Sequence, residues 1–83
     1  MPDELHHDFS VISVAEHVPL ARRETAKVLS SWGLADQVVD TACLIVTELV
    51  TNVVQHAAVL SPTAQVALDA DPDALMLAVA DAH

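Results

Sequence analysis

Residues 42–57 read Ala42-Cys-Leu-Ile-Val-Thr-Glu48-Leu-Val-Thr-Asn52-Val-Val-Gln-His56-Ala57, an apolar run broken by polar residues at a fixed step. A helix turns about 100° per residue, so Glu48, Asn52 and His56, four apart, form a row that drifts by roughly 40° per step. The neighbouring arc of Ala42, Ile45, Val46, Leu49, Val50, Val53 and Ala57 is apolar and is expected to face a core. Thr47, Thr51 and Gln55 are expected on the wetter side. A carboxylate, an amide and an imidazole would then stand where core meets solvent, the position of a pocket floor.

A helix of this kind needs a second layer. The 83 residues make one small domain, and 53% of them are hydrophobic, with Phe9 and Trp32 the aromatic members. Such a core is mostly Val, Leu, Ile and Ala, which suits helices packed on a sheet. The longest unbroken apolar run, Ala74 to Ala80, is far short of the ~20 residues that cross a bilayer. No basic, apolar-cored leader opens the chain. Cys43 stands alone within the apolar helix and reads as a small buried hydrophobe in a reducing compartment. Together these features point to the cytoplasm and to no membrane partner. The net charge is −9, with Arg22, Arg23 and Lys27 the basic residues. A nucleic-acid partner needs a broad positive surface, so none is expected. A nucleotide is compatible with an acidic chain, because Mg²⁺ can supply the missing positive charge.

Along the chain, residues 1–8 are polar and acidic and read as a flexible N-terminal tail. Within it, His6-His7-Asp8 lacks the further ligands at defined spacing that a metal site requires. Phe9 to Ala15 reads as a first strand. A helix is expected from Pro19, with Ala21, Thr25, Val28, Leu29 and Trp32 on its buried side and Gly33 as its stop. Arg22, Arg23 and Lys27 crowd the outer face of that helix, as a solvated surface or as a contact for an acidic partner protein. Asp36 is a plausible N-cap for the second helix, which is expected to reach about Ala58, with Ser61-Pro62 as its exit loop. Residues 64–68 and 75–79 read as an antiparallel strand pair joined by the turn-forming segment Asp69-Ala-Asp-Pro-Asp73. The expected fold is therefore an α+β two-layer sandwich of order β-α-α-β-β, helices on one face of a mostly antiparallel sheet. The last strand is also the last element, which leaves a sheet edge to be covered. The chain is thus expected to be part of a longer fold or to pair with another copy, a possible homodimer.

Leu20-Ala-Arg22, Trp32-Gly-Leu34, Thr47-Glu-Leu-Val-Thr-Asn52-Val-Val-Gln-His56-Ala57 and the strand-ending Asp81 together resemble a known family. It is the ATPase superfamily of gyrase and the histidine kinases, the GHKL or Bergerat fold. Within that superfamily the words are most similar to the bacterial anti-sigma-factor serine/threonine kinases and related ATP-binding regulatory domains. The likeness runs from Phe9 onward and covers the N-terminal part of that fold, so residues 9–83 would be a partial domain without its C-terminal lid and strands. The resemblance implies ATP and Mg²⁺ as ligands. It implies Glu48 as general base, Asn52 as Mg²⁺ ligand, His56 as a residue near the nucleotide, and Asp81 as the acceptor that reads the adenine amine. It also implies a sigma factor, an antagonist of an anti-sigma factor, or both as protein partners.

The family motif continues Asp-x-Gly-x-Gly, whereas Asp81 is followed by Ala82 and His83, so histidine stands at the first glycine position. The lid and the later glycine-rich phosphate loop lie outside these residues. ATP binding by this chain alone is therefore expected to be weak or nil, and the chain weak or inactive as a kinase, since phosphates favour a cradle of backbone amides. An alternative function is a non-catalytic, truncated interaction module of the same fold. A sensor histidine kinase fits less well, because the first helix begins too early to leave room for a phospho-acceptor hairpin.

Overall fold

The computed structural model describes residues 4–56 and 62–82. Strand β1 (Leu5–Ile12) is followed by a single 3-10 turn at Ala15–His17, helix α1 (Val18–Ser31), helix α2 (Asp36–His56), and strands β2 (Thr63–Ala70) and β3 (Leu75–Ala82). The strands form one antiparallel sheet in the order β1-β2-β3. Both helices lie on one face of it, the α+β arrangement expected from the composition.

β1 starts at Leu5, four residues before the expected Phe9, so residues 5–8 belong to the sheet. Their polar character misleads because a strand shows alternate faces. Leu5, His7, Phe9 and Val11 turn toward the helices, while His6, Asp8 and Ser10 face solvent. His6 and Asp69 pair across β1 and β2, and this extends β2 beyond the expected 64–68 to Ala70. His6 donates through Nδ1 to Asp69 Oδ1 at 2.5 Å and through Nε2 to Asp8 Oδ2 at 3.1 Å. Both ring nitrogens donate at once only when the imidazole is protonated. The β2–β3 turn is held by Asp71, whose Oδ1 accepts from the Asp73 and Ala74 amides at 2.8 Å each.

α1 begins at Val18 with Pro19 in its first turn and ends as glycine chemistry dictates. Gly33 has φ +81, its amide donates to Ser30 O, and the Leu34 amide reaches back to Leu29 O at 3.3 Å. This paired closure is the Schellman arrangement. α2 starts one residue earlier than a cap at Asp36 would place it. The Val39 amide bonds Ala35 O, so Asp36 already sits in the first turn, where its charge suits the helix dipole. The expected end of α2 at Ala57 and Ala58 lies outside the described residues.

The core lies between the layers. Leu29, Val46, Val50, Val66, Leu68 and Thr25 are fully buried, and Thr25 satisfies its hydroxyl on Ala21 O at 2.9 Å. On length and hydropathy alone α2 resembles a membrane span, with a window mean of 1.4. Its buried Val39, Ala42, Cys43, Val46 and Val50 instead make it the central helix of this core.

Directions follow from the contacts. His7 Nε2 bonds Glu24 Oε2 at 3.0 Å, while Leu20 neighbours Val11, so α1 runs antiparallel to β1. The short Trp32–Ala35 connection turns α2 back along α1, with Cys43 Sγ 3.6 Å from Arg22 O. α2 is therefore parallel to β1 and to β3.

Two measurements check this description. Gly33→Ala meets no steric obstacle but must hold a side chain at positive φ. Urea unfolding is expected to show a loss of about 1–2 kcal/mol. The His6 imidazole has a pKa raised from 6.5, first by its hydrogen bond to Asp69 and then by that to Asp8. A raised folded-state pKa gives stability that is complete below 6.5 and lost as pH rises through the folded value. NMR titration is expected to show His6 above that value, and Asp69→Asn to bring it down.

Candidate nucleotide-binding site

The buried arc of α2 is set by what packs on each side of it. α1 covers the flank of Cys43, on whose side of the helical circle Thr47 and Val54 also fall, and Val39, Val46 and Val50 are buried in the core. Thr47 and Thr51, expected on the wet side, are half-buried and return their hydroxyls to Cys43 O at 2.7 Å and Thr47 O at 2.6 Å. Ile45, expected in the core, is instead 40% exposed. The helix is rotated toward α1 relative to the sequence reading, because its apolar arc is wide enough to serve either orientation.

This rotation opens the other flank, toward β3. Gln37, Val38, Thr41, Ala42 and Ile45 of α2 and Leu75 and Leu77 of β3 line one shallow, mostly apolar hollow. On the helical circle Ile45 and Asn52 differ by only about 20°, and Val38 and His56 coincide. Asn52 and His56 thus continue the line of the hollow toward the C-terminal end of α2, and both are exposed. Glu48 lies on the outermost side of the helix, about 160° from Val46, and is exposed as well. The acid and the amide are one turn apart as expected, but farther from the core than a border position.

Asp81 reaches the same end. Along β3, Leu75, Leu77 and Val79 are half-buried toward the helices while Met76, Ala78 and Ala80 face out. Alternation puts Asp81 on the helix side of the sheet, opposite Ala64. The start of β3 lies beside residues 37–45, and α2 runs parallel to it. From the middle of that contact, roughly five strand residues and roughly eleven helical residues both rise about 16 Å. Asp81 therefore lies level with Asn52. His56 is one turn further, in the last described turn of α2. His83, at the position of the motif's first glycine, lies outside the described residues.

The electrostatics of this flank are one-sided. All three Lys and Arg residues lie on α1, whereas Asp36, Asp40, Glu48 and Asp81 belong to α2 and β3. A triphosphate meeting this flank needs a cation to accompany it. Asn52 offers a hard amide oxygen, which fits Mg²⁺ that keeps several waters and phosphate oxygens. Among the described residues no three His, Cys, Asp or Glu side chains cluster as a metal cage. Cys43 is not part of the site: it is buried, and burial together with nearby Asp40 raises its thiol pKa.

The apolar hollow is the feature the sequence reading missed. Its signal was present, since Val38 and Ile45 stand seven apart, but both fit an ordinary core stripe.

No curated protein matches the chain. A family model, that of the histidine kinase-like ATPase domain, matches residues 12–83, from the end of β1 through the whole of α2 and β3. With its two-helix hairpin on an antiparallel sheet and its Glu-x-x-x-Asn helix level with a strand-ending aspartate, the chain belongs to the histidine kinase-like ATPase domain family.

Proposed function

We propose that the α2–β3 flank is a Mg²⁺–ATP-binding face, and that the protein is an ATP-binding regulator of the anti-sigma-factor type that phosphorylates serine or threonine on a partner protein. What supports this reading is the family match, together with the ideal rises of α2 and β3, which bring Asn52 and Asp81 to about the same height on one flank. Asp81 accepts a hydrogen bond from the adenine amine, a contact that a guanine carbonyl does not offer. The Asn52 amide oxygen holds the ion, and the ion neutralises phosphate charge that the acidic flank would otherwise repel. His56 stands beside the phosphates. Glu48, exposed to solvent, accepts the proton of a hydroxyl brought by a second protein as that oxygen attacks the γ-phosphorus and ADP leaves. Its exposure suits a protein substrate better than a small molecule sealed in a pocket. A sigma factor, its antagonist protein, or a second copy would be the partner, and the lone buried Cys43 suits a cytoplasmic setting.

A non-catalytic interaction module of the same fold is the second reading. It is favoured by the exposed Val38, Leu44 and Ile45 on α2, which offer apolar surface for a partner helix.

Titration with a fluorescent ATP analogue, with and without Mg²⁺, separates the two. Magnesium-dependent binding is expected in the native chain, weakened by about tenfold or more in Asn52→Ala, an exposed site where truncation leaves the core intact. Absence of binding in both proteins, or equal binding without magnesium, overturns the nucleotide reading.

A further inference from the structure

α1 carries every Lys and Arg of a chain whose net charge is −9, and two of the three line a groove far from the nucleotide face. Leu20, Arg23, Glu24 and Lys27 project from the shoulder of α1 that faces away from α2, over Phe9, Ser10 and Val11 of β1. Among the described residues neither Arg23 nor Lys27 enters an ion pair. Glu24, the one carboxylate of the groove, is engaged by His7 Nε2 at 3.0 Å. The groove is therefore net positive with an apolar floor.

Beneath it runs the outer edge of β1, which pairs with no strand among the described residues. The Ser13 amide donates to Pro62 O at 2.9 Å, and this pair continues the β1–β2 register. In an antiparallel ladder such bonded pairs recur at every second residue. The odd residues of β1 thus bond β2, and the N–H and C=O groups of His6, Asp8 and Ser10 point to the free edge. No proline, bulge or lysine blocks that edge.

From these observations we infer that β1 is a docking edge for an extended acidic segment of a partner protein. The segment adds a fourth strand antiparallel or parallel to β1, and its backbone pairs with Asp8 and Ser10. Side chains on its helix-facing side carry carboxylates to Arg23 and Lys27 and apolar atoms to Leu20. On its other side uncharged residues are required, because Asp8 and Asp69 lie on the outer face of the sheet around His6. This surface lies across the molecule from Asn52 and Asp81, so it is independent of the nucleotide reading.

The probe is a blocked heptapeptide of alternating threonine and glutamate, which presents all its carboxylates on one face as a strand. Amide hydrogen exchange of the full chain, read by NMR, is expected to slow by about tenfold or more at Asp8 and Ser10 when the peptide binds. The same peptide with lysine for glutamate, or with an N-methylated backbone, is expected to give no protection. The charge-reversed double variant Arg23→Glu/Lys27→Glu, both at exposed sites, is expected to bind the glutamate peptide about tenfold or more weakly while keeping its thermal melt. Failure of the glutamate peptide to protect Asp8 and Ser10 overturns the inference, as does equal protection by the lysine peptide. Concentration-dependent protection without any peptide also overturns it, since a second copy would then be the occupant.

Discussion

Helix α2 is held from two sides at once, and the placement of every candidate functional group follows from that. Val39, Val46 and Val50 are buried in the core, while Cys43 meets α1 at Arg22 O and the half-buried Thr47 and Thr51 return their hydroxyls to carbonyls of α2 itself. With both contacts made, the helix cannot roll without exposing the buried Val39, Val46 and Val50 to water. Its third flank is then forced outward beside β3, and that flank carries Asn52 and His56. Gly33 bears on that placement too, because its positive φ closes α1 at the reversal that makes α2 run parallel to β3. Were α2 antiparallel to that strand, Asn52 would stand beside Leu75 and far from Asp81.

Charge is sorted by layer and edge. The α2–β3 flank is acidic and free of Lys and Arg, which makes any phosphate ligand dependent on a cation. The α1–β1 side holds all the Lys and Arg residues of the chain. A small acidic protein with both surfaces can separate two tasks, one directed to a metal-bound anion and one to carboxylates. The central strand β2, buried at Ala64, Val66, Leu68 and Ala70, lies between them.

The arrangement of elements was legible in the sequence because their signals are local. Glycine after a helical run, alternating strands around Asp71 and a long apolar period each state their own structure. Glu48, Asn52 and His56 were legible as a row for the same reason, since spacing along one helix needs no neighbour. What a neighbour decides was not legible. The strand character of residues 5–8 depends on His6 meeting Asp69 and His7 meeting Glu24, partners that lie 63 and 17 residues away. The exchange of Ile45 and Thr47 between core and solvent depends on which side of α2 receives α1. An arc of apolar residues broad enough for two orientations does not choose between them, and only packing does.

The most direct test of the geometry is a paramagnetic label on the nucleotide flank. A nitroxide attached at Asn52→Cys in a Cys43→Ala background broadens the amide signals of nearby residues. The parallel lie of α2 on β3 requires strong broadening at Val79 and Asp81 with Leu75 little affected. Broadening centred on Leu75, or spread evenly along β3, would contradict it and with it the proposal that an amide and an aspartate meet one nucleotide.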